Sequence, residues 1–381
     1  VFYYRIVYMN ENGGRYIMGY IMDKEKDISL LEELGIDVIS TERNYWFIRT
    51  QKGTYYDDFI NESFVAIEWD KISDKEFIEE ATEEKMKIEV IKYYPDTDRP
   101  GYVVGQISRF ANTIKKGDIV LIPSEKSNWI SFGKIVDDGM FIFEEEEEQE
   151  NTQTTIEEFY DQLPNEDKKP ILKKRRNVQW IKHIKRTDLD PYLYGIVYAH
   201  NAVVDANSYS LYIDRTLSQF YIKGEEASFT YKVNKAKNIP FSDTMNLLNN
   251  NYQLINFINK YYPDYAVNAE ELVLKINVQS KGPVQLKGIV GNVLIVGLVI
   301  GALFGTKMEF KVPILDYKLE TAGLPGLIKT VDSVINDEHS DEKQKELQAI
   351  IDNFKKNKQR LQLQVPTVNQ NVKELPTIKG K

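Results

Sequence analysis

Residues 288–305 read GIVGNVLIVGLVIGALFG, a stretch without charge and with one amide, Asn292. As a single helix it would reach about 27 Å, against a bilayer hydrocarbon core of about 30 Å. Gly297, Gly301 and Gly305 recur every fourth residue and would line one helix face. Small residues so spaced let helix backbones approach closely, as membrane helix pairs do. In an isolated soluble helix each glycine costs roughly 1 kcal/mol relative to alanine, so close packing must offset it. Three folds satisfy these facts: a membrane-spanning helix, a central helix buried on all sides, or two strands meeting at a glycine turn. The flanking lysines (Lys281 and Lys287 before, Lys307 and Lys311 after) give no orientation bias.

The rest of the chain is polar. Among 381 residues the net charge is −9, so the molecule as a whole is no generic polyanion binder, and nucleic-acid contact would need a local basic patch. The absence of cysteine excludes disulfides, thiolate zinc sites and a cysteine nucleophile. Three histidines, His183, His200 and His339, leave little for a histidine metal cluster. The opening VFYYRIVYMNENGG lacks the basic and apolar regions of a secretory signal, which places the bulk of the protein in the cytoplasm as an expectation.

Residues 2–9 and 15–22 read as a hairpin, 28–35 as a short helix, and 44–50 and 64–70 as strands. Residues 74–93 and 103–116 read as helices, and 118–124 and 129–138 as strands. Then EEEEEQENTQ opens an acidic run, with Glu144, Glu145, Glu146, Glu147 and Glu148 in sequence. It reads as a solvated loop, a decoy polyanion over a basic stretch, or an acidic cation vestibule. The charge inverts at ILKKRRNVQWIKHIKR (171–186), which holds eight Lys, Arg or His around Trp180. Either this is an exposed strand-edge cluster, or Lys173, Lys174, Arg175, Arg176, Lys182, Lys185 and Arg186 contact a phosphate backbone. A β-rich stretch covers 195–232, a helix 244–261 and strands 271–282 and 307–315. An amphipathic helix capped by Ser340 runs to about residue 363, with an apolar stripe through Leu347, Ile350, Ile351, Phe354 and Leu361 that could supply oligomer contacts.

Four stretches, WFIRTQKGTYYDDFINESFVAIEWDKI (46–72), GQISRFANTIKKGDIVLIP (105–123), FGKIVDD (132–138) and KRRNVQWIKHIKRTDL (174–189), in that order resemble the N-terminal module of Mrr-type restriction proteins. That module is similar to the PUA/EVE group of small β-barrels, which read modified or flipped bases. The resemblance covers about 44–220; the insertion at 141–170 and the hairpin at 1–40 depart from it. It implies that Trp46, Trp69 and Trp129 stack on a base, or else fill the barrel core, with Trp69, which follows alternating apolar residues, reading as the core member first, and that Arg49, Arg109 and Lys126 meet phosphates or base edges. Arg109 could equally pair with an acid.

Mrr-type proteins usually continue into a nuclease. Here INVQSKG offers Gln279 and Lys281 with Asp264 or Glu271 upstream, but the glycine-rich, Asp-containing loop expected before the strand is missing. A strand ending in a turn explains the residues better, so no catalytic residue, metal or cofactor is expected. The expected fold is α+β: an N-terminal extension (1–43), a PUA/EVE-like module (44–232), a strand-helix domain (233–325) with a glycine-zipper helix, and an amphipathic helix and tail (326–381). A base-reading barrel joined to an apolar segment resembles the membrane effector of Hailong-type anti-phage systems. The likeness implies a homo-oligomer, a tetramer in that family, on the cytoplasmic side of the bacterial inner membrane. It also implies a nucleotidyltransferase partner and a gate controlled by single-stranded DNA or an oligonucleotide. The alternative is a soluble modified-DNA reader of a type IV-like restriction system.

Overall fold

The apolar runs YWFI and IVLIP become, in the computed structural model of the chain, strands buried on both faces. The structure describes residues 5–9, 15–19, 24–144, 169–236, 238–276, 282–304, 323–336 and 340–366. In chain order the strands are β1 (Arg5–Met9), β2 (Arg15–Gly19), β3 (Asp37–Ile39), β4 (Tyr45–Ile48), β5 (Phe64–Ile67), β6 (Ile119–Pro123), β7 (Trp129–Ile135) and β8 (Phe141–Ile142). They continue as β9 (Lys174–Lys185), β10 (Val203–Asp205), β11 (Phe220–Lys223), β12 (Glu226–Val233), β13 (Leu272–Ile276), β14 (Gly282–Ile289) and β15 (Leu363–Gln364). The fold is α+β, in two units: residues 43–217, and residues 1–42 with 218–381.

The 43–217 unit is built on a curled sheet in the order β10-β4-β6-β7-β9-β5, with β8 also on β9. The pairs are antiparallel except β4 with β6. The long β9 causes the curl, because its first residues pair with β5 and β8 and its remainder with β7. A bulge opposite Phe132 and Gly133 sharpens the bend. Gly133 is required there: a Cβ would lie 2.2 Å from Val178 Cγ1 and 2.8 Å from the Trp180 ring. Strand alternation sends Trp46, Ile48, Val120 and Ile122 into one core and Tyr45, Phe47, Ile119 and Leu121 into another. Two buried faces explain why these strands read as continuous apolar runs. The charged stretch 74–93 forms two helices, Lys75–Glu80 and Glu83–Tyr93, because Asp74 and Thr82 each cap a separate start.

The other unit carries the β1–β2 hairpin and a sheet in the order β13-β14-β12-β11-β3, with β15 on β12. Thus β11 and β12, which the sequence placed in the middle module, belong to this sheet. The apolar stretch corrects the opening expectation. Residues 288 and 289 finish β14, and the helix Val290–Phe304 follows at once with 15 residues, about 22 Å long. Residues 290–301 of this helix are all buried. A Cβ at Gly297 would lie 2.8 Å from Phe220 Cζ and 2.9 Å from Phe229 Cδ2, so that glycine lets the helix settle onto aromatic rings of β11 and β12. Helices Phe241–Tyr261, Gly323–Asn336 and Asp341–Leu361 add Leu254, Phe257, Val331, Ile350 and Phe354 to the same core. Phe304 stacks on Phe354 with centroids 3.9 Å apart. The stripe read on 340–363 therefore packs within this unit: Leu347, Ile350, Phe354 and Leu361 are buried. Among the described residues no helix is long and apolar enough to cross a membrane, and the glycine-zipper span is not supported. Gly301 is buried in the core, and Gly305 lies outside the described residues, as does the strand expected at 307–315.

Candidate functional site

The basic run 173–186 does not form one charged face. Period-two alternation on β9 turns Lys174, Arg176, Val178 and Trp180 inward. Lys174 is fully buried, and its Nζ donates to the carbonyls of Trp69 (2.8 Å) and Ile72 (3.2 Å) and to Asp70 Oδ1 (3.3 Å). Burial pushes its pKa down, and Asp70 opposes that shift. Arg176 is also buried; it donates to the Phe110 and Ala111 carbonyls and pairs with Asp137 at 3.1 Å. Its job is to satisfy the carbonyls at the end of the helix Pro100–Ser108 and the π-turn Arg109–Thr113. Arg175 lies over the Phe64 and Phe143 rings and pairs with Glu62. Lys182 donates to the Thr216 carbonyl at 2.6 Å. The proposed backbone-contact cluster is thus split, with Lys173 and Lys185 exposed and Arg186 half-buried.

The tryptophans divide the same way. Trp46 is buried and its indole N–H donates to Asp118 Oδ2 at 2.8 Å, and buried Trp180 donates to the Phe59 carbonyl at 2.9 Å. Both are core residues rather than stacking platforms. Trp69 and Trp129 are half-buried and line cavities. Arg109 is tied into the fold: it donates to the Val203 carbonyl at 3.0 Å, and with Gln106 Oε1, which accepts from Val203 N at 2.7 Å, it fastens edge strand β10.

The largest of these cavities, about 620 Å³, opens beside the end of β5. Trp69 and Tyr102 stand in its wall with ring centroids 6.4 Å apart and planes at 78°. Arg49, Gln51, Lys52, Glu68 and His200 also line it. Arg49 is held by a guanidinium bond to the Ala199 carbonyl and a backbone bond to Ala202. A second cavity of about 340 Å³ shares Arg49 and Lys52 and adds Ser124, Glu125, Lys126 and Ser127. Lys126 is exposed beside Glu125, 3.3 Å away.

Backbone strain collects here. Seven non-glycine residues among those described have φ in the left-handed region, and five of them, Gln51, Lys52, Trp69, Lys126 and Ser127, line these two cavities. Each such residue costs on the order of 1–3 kcal/mol and persists where its surroundings hold it. The holding groups are visible. Thr50 Oγ1 bonds to the Pro123 carbonyl, tying the 51–53 turn to the 125–127 turn. Gly53, at φ +103°, permits their contact, since a Cβ would fall 2.4 Å from Glu125 Cα. Trp69, at φ +70°, sits in the bend clamped by Lys174 and Asp70.

Sequence reasoning missed Tyr102, His200, Gln51 and Lys52. Tyr102 is 37% exposed on the helix Pro100–Ser108, and no pattern in its sequence neighbours marks it as facing a cavity. Lys52-Gly53 is a turn signal whose partner turn lies some 70 residues away, so chain proximity could not reveal it. Of the acidic vestibule, Glu144 is exposed and Glu145, Glu146, Glu147 and Glu148 lie outside the described residues. Gln279 and Lys281 of the nuclease reading also lie outside; Glu271 accepts from Asn292 Nδ2 at 3.3 Å.

Fold and site together define a curled α+β domain with an open cavity lined by aromatic and cationic side chains. Residues 46–205, inside the 43–217 unit, match the family model described as a Domain of unknown function (DUF8426). No curated protein and no solved structure matches the chain.

Proposed function

We propose that the 43–217 unit seats one base of a nucleic acid in the cavity at Trp69 and so acts as a nucleic-acid reader. The observation that carries this reading is the pose of Trp69, an indole fixed in a strained left-handed conformation at the wall of an open cavity, paired edge to face with Tyr102. Two rings near right angles offer a planar guest both a stacking face and an edge. Arg49, Lys52 and His200 supply donors for base edges or a phosphate, and Glu68 supplies an acceptor. The resemblance of 46–72, 105–123, 132–138 and 174–189 to the base-reading module of Mrr-type proteins supports the same function. The cavity, not the basic run as a whole, is the recognition element, because the strand buries Lys174 and Arg176.

The proposal is confined to binding by this unit. The helix Val290–Phe304 is enclosed by the core of its own unit, so its glycines serve packing there and give no support to a gate. The test is fluorescence anisotropy of the full chain against single strands and duplexes carrying unmodified and modified bases. Base–aromatic stacking contributes about 1–3 kcal/mol per base, so Trp69→Ala should weaken binding by about 5- to 150-fold with the circular dichroism spectrum intact. Unchanged affinity in a folded Trp69→Ala protein would remove the cavity from consideration.

A further inference from the structure

We infer that three adjoining cavities of the 43–217 unit form one track for a single-stranded nucleic acid, running from the base at Trp69 past Lys52 and Lys126 to Trp129 and Arg186. The inference rests on the base-seating reading and adds the strand's path. The first two cavities share Arg49 and Lys52. Ser124, Glu125, Lys126 and Ser127 line the second, and the residues that follow them, Asn128 and Trp129, line the third, of about 480 Å³. The 124–128 connection between β6 and β7, with the first residue of β7, therefore walls both.

Aromatic and cationic side chains share the first and third cavities, and the second between them carries cations. In the third cavity Lys185 Nζ lies 5.3 Å from the Trp129 ring and the Arg186 guanidinium 5.8 Å from Tyr194. Aromatic faces take successive bases and the cations beside them take the phosphates. Across the three cavities the lining includes the cations Arg49, Lys52, Lys126, Lys185 and Arg186 against the carboxylates Glu68 and Glu125. This local excess stands out on a chain of net charge −9. The turn geometry is rigid where it matters: Trp129 N donates to Ser124 Oγ at 2.9 Å, and Arg186 N to the Asn128 carbonyl at 2.8 Å.

The experiment uses the full chain and homopolymer DNA strands of each base, from the mononucleotide upward, with affinity measured across a salt series. Affinity should rise with length and then level off. The double variant Lys126→Glu/Lys185→Glu changes two exposed side chains and should keep the melting temperature. It should bind the longer strands at least about tenfold more weakly, leave the mononucleotide unaffected, and flatten the salt slope by about 1.4, from roughly 0.7 per phosphate contact. Longer strands that bind no tighter than the mononucleotide would overturn the track. So would a double variant with unchanged slope, and in either case a Trp69→Ala loss would leave the base-seating reading intact. Strand binding that survives Trp69→Ala but falls in the double variant would overturn the base seat and, with it, this path. Absence of binding to every strand would overturn both.

Discussion

The buried ammonium of Lys174 donates to the carbonyl oxygen of Trp69 at 2.8 Å, and so a residue from β9 fixes the bend that presents the indole to the cavity. Lys174→Met keeps the stem and removes three hydrogen bonds, leaving Asp70 with the Lys173 N–H and the Trp69 carbonyl with the Ile72 N–H. Breaking a buried ion pair from one side costs about 3–5 kcal/mol, and the 21% exposure of the Asp70 side chain places this variant near the lower end. Urea unfolding should show that loss. Trp69 emission should shift as well, because the bend relaxes.

Trp46→Phe should separate core from cavity. Trp46 N–H reaches Asp118, whose carboxylate also accepts from the backbone N–H groups of Asn44 and Lys115. Loss of this buried bond should cost about 1–3 kcal/mol in a thermal or denaturant melt. Strand affinity measured below the transition should stay at the native value.

Gly297→Leu tests the role of the apolar helix. Even a Cβ meets Phe220 and Phe229 at under 3 Å, so the larger side chain must push the helix off the β11–β12 surface. Overpacking of this kind costs roughly 1–3 kcal/mol, and more when backbone has to move. The unit formed by 1–42 and 218–381 should melt earlier. A native melting temperature would contradict the enclosed helix.

His183 gives the chain a pH response. Its Nδ1 lies 2.7 Å from Ser131 Oγ, which in turn bonds with the Tyr56 hydroxyl at 2.6 Å. Burial lowers its pKa from the ordinary 6.5. In the window just below that value the unfolded chain binds a proton that the folded one does not, so stability falls as pH falls through it. Melting temperatures recorded from about pH 7 to about pH 5 should decline in the native protein and decline less in His183→Gln.

Much of the architecture was legible. The hairpin, the strands around YWFI and IVLIP, and the long helices at 244–261 and 340–363 follow from period, a local property, although Ser340 stands at the N-cap without a side-chain cap bond. The apolar segment was not, because a fully buried helix and a membrane helix share one composition; what decides is whether other elements cover it, and Phe220, Phe229 and Phe354 come from distant sequence. The site was half legible. Arg49 and Lys126 do line cavities, and so does Trp69, whose place after alternating apolar residues points to the core, whereas Trp46, Trp180, Arg109 and Arg176 are structural. Eight basic groups in a row suggest a surface only if the strand's alternation is ignored, and Lys174 and Arg176 occupy inward positions on it.

The most direct test of the central claim is photocrosslinking of the full chain to single strands carrying 5-iodouracil, with the linked residue identified by mass spectrometry. A base seated in the cavity predicts crosslinks to Trp69 or Tyr102, lost on competition with unlabelled strand. Crosslinks confined to residues outside the three cavities would contradict the account.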